Sequence, residues 1–185
     1  MSTTLLLIDI QNDYFPGGAM TLDGAEAAGL RAGQLLATCR ERRIPVVHVQ
    51  HLSTRAGASF FVPESAGVEF HPGVTPLAGE TVIRKNFPNS FRNTGLLEEL
   101  QRLGSTDLLI GGMMTNMCID ATVRAAADQG FRCRLAHDAC AARALSFDGI
   151  DVPAAQVHAA FLAALQGLYA EVASVDSLVA GLAAR

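Results

Sequence analysis

Apolar residues fall into two alternating kinds of run along this chain. Short dense runs of four to six residues alternate with longer stretches in which apolar residues recur at helical spacing. The first dense run is Thr4–Asp9, ending on a carboxylate, and Glu26–Arg42 follows with Leu30, Gly33, Leu36 and Ala37 toward one side. Pro45–Gln50 reads as a second strand. Residues 51–80, with Pro63, Pro72, Pro76 and several glycines, read as a long loop of the kind that serves as a lid or binding loop. Thr81–Lys85 is a third strand, and Gly95–Leu103 a short helix with Thr94 as cap and Gly104 as stop. Asp107–Gly111 is a fourth strand, Asn116–Gln129 a helix capped by Thr115 and closed by Gly130, and Phe131–His137 a fifth strand. Pro153–Tyr169 is a helix with proline in its first turn, and Glu171–Val175 a sixth strand before a final alanine-rich helix.

Strand–helix alternation of this kind predicts a three-layer α/β/α, Rossmann-like fold. A central, mostly parallel sheet has helices on both faces and right-handed crossovers. Ligands of such sheets bind beyond the carboxyl ends of the strands. No linker, internal repeat or low-complexity tract divides residues 1–185, so one domain is expected.

Composition narrows the function classes. Half of the residues are hydrophobic and 17% are charged, which is globular and not disordered. A formal net charge of -4 argues against nucleic acid as partner. The apolar run Leu5–Ile8 stops at Asp9, far short of a membrane span, and Met1–Thr4 carries no basic leader. Cys39, Cys118, Cys133 and Cys140 form no Cys-x-x-Cys pair and read as reduced thiols of a cytoplasmic protein.

Three reactive side chains fall where the sheet would gather them. Asp9 ends strand one, Lys85 ends strand three, and Cys118 opens the helix after strand four. In a helix's first turn, unpaired N–H groups and the positive dipole end favour thiolate over thiol. The other cysteines suit burial as small apolar residues: Cys39 inside a helix, Cys133 inside a strand, Cys140 in a small-residue turn. The run Gly111-Gly112-Met113-Met114-Thr115-Asn116-Met117-Cys118 forms a strand-to-helix turn able to aim N–H groups at one point. The second position after Asp9 is Gln11, which excludes the Asp-x-Asp of aspartyl-phosphate phosphatases. No Gly-x-Gly-x-x-Gly or Walker loop is present.

Residues 5–15 (Leu-Leu-Leu-Ile-Asp-Ile-Gln-Asn-Asp-Tyr-Phe), Ile83-Arg84-Lys85 with Asn89-Ser90-Phe91, and Gly112–Thr122 together resemble the isochorismatase-like cysteine hydrolases, in the family's order and across essentially the whole chain. The resemblance implies an Asp9, Lys85, Cys118 triad, a cis Met113–Met114 peptide, and an oxyanion hole from the Met114 and Cys118 N–H groups. It implies hydrolysis of a small amide-like molecule through a thioester, without a cofactor, by a homo-oligomer (dimer or tetramer). Candidate substrate contacts are Gln11, Phe15, Phe60, Asn89, Phe91 and Met114. Isochorismate hydrolases of the family lack the cysteine that is present here. Nicotinamidases carry an Asp-x-His metal pattern after strand two, where this chain reads Gln50-His51-Leu52-Ser53, so no metal is expected. His51 and His71 are the residues that could still serve a metal-assisted, nicotinamidase-like amidase. A small-molecule-binding protein that kept the fold without catalysis is the alternative of a different class.

Overall fold

The fold is described from a computed structural model over residues 2–182. In chain order its elements are β1 (Ser2–Ile8), α1 (Ala25–Glu41), β2 (Val46–His51), β3 (Thr81–Lys85), α2 (Leu96–Arg102) and β4 (Ser105–Met113). Then come α3 (Asp120–Asp128), β5 (Arg132–Ala141), β6 (Leu145–Phe147), β7 (Ile150–Val152), α4 (Ala154–Leu165), β8 (Ala170–Ala173) and α5 (Val175–Leu182). Six strands form one parallel sheet in the order β3-β2-β1-β4-β5-β8. No helix among the described residues is long and apolar enough to cross a membrane.

The apolar run in β1 has no polar alternation because both faces of the strand are covered. Leu5 and Leu7 point into one core with α1 and α5, including Leu35, Leu36 and Leu178. Leu6 and Ile8 point into the other with α2, α3 and α4, including Leu96, Val123 and Leu165. Each of the four is at most 2% exposed, and burial of such a side chain stabilises by roughly 1.5–3 kcal/mol.

The strand order reverses beside β1. The chain first builds outward through β2 to β3, then returns to lay β4 against the free edge of β1. That reversal opens a crevice at the carboxyl ends of β1 and β4, the place where doubly wound sheets bind ligands. Close approach there depends on Gly112. It pairs with Ile8 at φ +142, and a Cβ added to it would meet the Ile8 carbonyl oxygen at 2.0 Å. Only glycine fits.

Several local expectations are corrected. Thr115 caps nothing: Met114 holds the cap position, and the Thr115 hydroxyl donates to the Ala141 carbonyl at 3.1 Å and pairs with His158 Nδ1 at 2.8 Å. The helix there opens as a π turn over Thr115–Ile119, with the Ile119 N–H bonded back to the Met114 carbonyl. Gly95, not Thr94, is the cap residue of α2, although the Leu96 N–H still reaches the Thr94 hydroxyl at 3.3 Å. Cys140 lies in β5, which runs past His137 to Ala141. Helix α4 stops at Leu165 because Gln166 turns extended and Gly167 takes a positive φ, so β8 begins at Ala170. The β6–β7 hairpin has no counterpart in the sequence periodicity, each strand being only three residues long.

Candidate active site

Each of the three reactive side chains is delivered by a strand end. Asp9 follows β1 directly. Its N–H donates to the Val49 carbonyl at 3.0 Å, and its φ of 54 is a left-handed conformation unusual outside glycine. Strain of this kind, of order 1–3 kcal/mol, gathers at functional sites where surrounding structure imposes it. Lys85 is the last residue of β3, and Cys118 lies in the π turn after β4, a helix irregularity that also concentrates at such sites. The Met113–Met114 peptide that leads into this turn is cis. The turn is held from the β3 side by Ser90, whose N–H and hydroxyl both bond the Thr122 hydroxyl of α3.

The Lys85 ammonium stands at the centre. Its Nζ is 2.7 Å from Asp9 Oδ2, 3.0 Å from His51 Nδ1, 3.1 Å from the Phe87 carbonyl and 3.2 Å from Cys118 Sγ. Neither the Lys85 nor the Asp9 side chain has any exposure. An ammonium only donates, so His51 Nδ1 accepts and the imidazole proton sits on Nε2. Burial pulls the His51 pKa down to about 4, with Asp9 opposing and Lys85 reinforcing that shift. The ring is therefore neutral at pH 7. The Lys85 pKa is raised: burial lowers it, but Asp9 and Cys118 outweigh burial. Lys85 thus remains a full cation.

Cys118 shows the opposite balance. Burial pushes its thiol pKa up, the Asp9 charge pushes it further, and Lys85 only partly offsets both. The resting sulfur is a thiol, contrary to the thiolate that a first-turn position predicts. A dipole acts weakly against desolvation plus an adjacent carboxylate. Asp9 Oδ1 is buried and has no hydrogen-bond partner, while the sulfur lies within 4.8 Å of the carboxylate. The thiol therefore has an acceptor for its proton close at hand.

A model of the isochorismatase domain matches residues 3–177. The chain belongs to the isochorismatase family. The isochorismatase family protein YddQ of Bacillus subtilis is 49% identical over 97% of this chain and 99% of its own. A structure solved as an isochorismatase hydrolase from Oleispira antarctica superposes with a TM-score of 0.94 at 52% identity, covering 97% of both chains. A maleamate amidohydrolase from Pseudomonas putida is 30% identical over 69% of this chain and 67% of its own. Like the Oleispira hydrolase and the Pseudomonas amidohydrolase, this isochorismatase-family chain is a hydrolase.

Some family members hold a metal, and one cluster of donors lies in this site. Asp9, His51 and Cys118 offer ligand atoms all within 4.8 Å of one another. The Lys85 ammonium contacts all three, however, and a divalent ion among them would stand against a cation at contact distance. The residues present do not fit a resident metal. His71 is no fourth donor: it stacks on Phe15 with centroids 3.8 Å apart, and its Nδ1 accepts from the Gly73 N–H.

A cavity of about 290 Å³ opens onto Cys118. Phe60 and Met114 line it, as the sequence suggests. Gln11, Phe15, Asn89 and Phe91 do not, and each is engaged elsewhere. Gln11 is a fastener: its amide donates to the His51 and Val68 carbonyls at 3.0 and 2.7 Å and accepts from the His51 N–H at 2.8 Å. Asn89 Oδ1 accepts from the Phe91 N–H, and Phe91 stacks on Phe131. Sequence reasoning missed Tyr14 and Arg55 as cavity residues and undervalued His51. The motif containing Tyr14 was in view. The loop residues carry no periodic signal, because their positions depend on tertiary anchors such as the Asp13 carboxylate, which accepts from the Phe61 N–H.

Proposed function

We propose that the protein hydrolyses a small amide through a thioester on Cys118. The observation that carries this reading is the Lys85 ammonium, in contact at once with the Asp9 carboxylate and the Cys118 sulfur beside the cavity. As the sulfur attacks the amide carbon, its proton passes to Asp9. Negative charge then leaves the carboxylate for the sulfur and the carbonyl oxygen, and Lys85 stays beside both protein groups throughout. The Met114 and Cys118 N–H groups take the role of oxyanion donors. Collapse of the tetrahedral adduct breaks the C–N bond, Asp9 returns the proton to the leaving nitrogen, and ammonia or an amine departs. Asp9 next takes a proton from water, whose oxygen attacks the thioester. The carboxylic acid is released and the proton returns to sulfur. The maleamate amidohydrolase among the relatives supports the C–N bond as the one cleaved.

In this scheme His51 is a positioning residue. Its neutral Nδ1 accepts from Lys85 and fixes the ammonium between Asp9 and Cys118.

The test is trapping. Turnover of a panel of primary amides is quenched in acid and the peptides are mapped by mass. The expected result is an adduct equal to the amide less ammonia on the Cys118 peptide, removed by hydroxylamine. An acyl adduct on a different residue would refute the scheme.

A further inference from the structure

Tyr14 lines the same cavity as Cys118 and Met114, yet the residue itself is only 1% exposed. Its backbone is fastened at both groups: the N–H donates to the Gln11 carbonyl at 3.0 Å, and the carbonyl accepts from the Leu22 N–H at 3.0 Å. Its ring meets Phe61 edge-on, with centroids 4.7 Å apart, and Phe60 at 6.3 Å. The polar side chains beside it are engaged as well. Gln11 bonds His51 and Val68, and Asp13 accepts from the Ala19 and Phe61 N–H groups. The Tyr14 hydroxyl is the exception, with no hydrogen-bond partner among the described residues. A phenol buried this deeply ordinarily has one. Since the surrounding protein supplies none and the side chain borders the cavity, its partner enters through the cavity. Burial first, and then the neighbouring Cys118 and Asp9, hold the Tyr14 pKa well above its ordinary value. The phenol therefore keeps its proton and does not compete with Asp9 as a base.

The strand order decides which part of a substrate this hydroxyl meets. Asp9 and Tyr14 both follow β1, whereas Met114 and Cys118 both follow β4, its neighbour in the sheet. An amide held over the crevice, with its carbonyl oxygen toward the N–H groups of the β4 turn, points its nitrogen to the β1 side, where Asp9 delivers the proton. Resting on the amide-hydrolase reading, we infer that Tyr14 is a further catalytic residue whose hydroxyl oxygen accepts a hydrogen bond from an N–H of that leaving nitrogen. As the C–N bond breaks and the proton of Asp9 passes to nitrogen, the nitrogen gains positive character and its N–H becomes a stronger donor. The contact is thus stronger in the transition state than in the bound amide, which is what accelerates the step. Tyr14 neither gains nor loses a proton. Its ring, held by Phe60 and Phe61, fixes the oxygen before substrate arrives.

The experiment compares Tyr14→Phe with the wild type on primary amides and on the methyl esters of the same acids, from acetamide and butyramide to benzamide and nicotinamide. An ester gives the same thioester, but its leaving oxygen has no hydrogen to donate. Phenylalanine keeps the ring contacts and removes only an unpaired hydroxyl, so the urea midpoint should be unchanged or raised. A marked fall would mean that the hydroxyl is bonded within the protein and would overturn the inference. The ratio kcat/KM reports the steps up to departure of the leaving group. Tyr14→Phe should lower it by about tenfold on an amide that the wild type turns over, the worth of one hydrogen bond to a group gaining charge. On the matching ester it should change by less than about twofold. Equal losses on amide and ester would put the hydroxyl at the carbonyl oxygen and overturn the inference, as would an amide rate that the variant keeps. No ammonia released from any amide by the wild type, whether or not the esters are cleaved, would instead sink the amide-hydrolase reading itself.

Discussion

Lys85 is at once the most buried cation of the site and the group on which its charge balance turns. Its removal has two separable consequences. The thiol loses the one neighbour that lowers its pKa, so Lys85→Met should slow alkylation of Cys118 at pH 8 by about tenfold or more. Asp9 is left as a buried carboxylate without a counter-ion, which costs about 3–5 kcal/mol. Urea denaturation should therefore show a large loss of stability, and circular dichroism would establish that the variant measured is folded. An unchanged alkylation profile in folded protein would mean that Lys85 does not act on the sulfur. His51 is subtler, since its effect runs through the ammonium. His51→Asn can still accept from Lys85 and should keep more activity than His51→Ala. Equal losses in kcat, with unaltered pH profiles, would contradict a positioning role. Asp9, Lys85 and Cys118 were legible as strand-end and turn residues, because a parallel sheet gathers its carboxyl ends by topology alone. The charge state of Cys118 was not legible. It depends on burial and on an Asp9 oxygen brought from a residue 109 positions away.

At the scale of elements, β1 and β4 place the chemistry and the long loop after β2 shapes the cavity. Gln11 ties these parts together, bonding His51 at the end of β2 and Val68 within the loop. Gln11→Ala should leave the His51 N–H without its partner, at about 1–3 kcal/mol, and the Val68 carbonyl with Gln50 as its remaining side-chain donor. The loop should then exchange amide hydrogens faster and be cut earlier by protease, with the sheet still protected. Protection unchanged across residues 51–70 would show that the loop holds without this tie. Strands and the longer helices were readable because burial on both faces imposes continuous apolar runs on β1 and β4. The π turn was read as an ordinary helix start because Thr115 has the chemistry of a cap; tertiary partners at Ala141 and His158 took its hydroxyl. The β6–β7 hairpin did leave a signal: Asp148-Gly149, both at positive φ, is the turn pair such hairpins prefer.

At the scale of the whole molecule, neutral histidines make the fold sensitive to acid. His48, His51, His71 and His158 all have lowered pKa values, chiefly from burial. The unfolded chain takes up protons near the ordinary value of 6.5, whereas folded His51 does so only at about 4. Stability is thus full above pH 6.5 and falls as pH drops from there toward 4, by up to about 3 kcal/mol from His51 alone. Glu80, held down to about 2 first by Arg40, extends the loss below pH 4.5. Urea midpoints from pH 7 to 4.5 should fall steadily, and His51→Asn should flatten part of the decline; a midpoint constant over that range would contradict the burial of neutral imidazoles. Catalysis remains the central claim, and one comparison tests it most directly. Ammonia release from an amide turned over by the wild type is measured beside Cys118→Ala, with the variant's fold checked by circular dichroism. The account predicts that release falls to background in a folded variant, while Cys39→Ala and Cys133→Ala retain most of it. Release at the wild-type rate from folded Cys118→Ala would contradict the account.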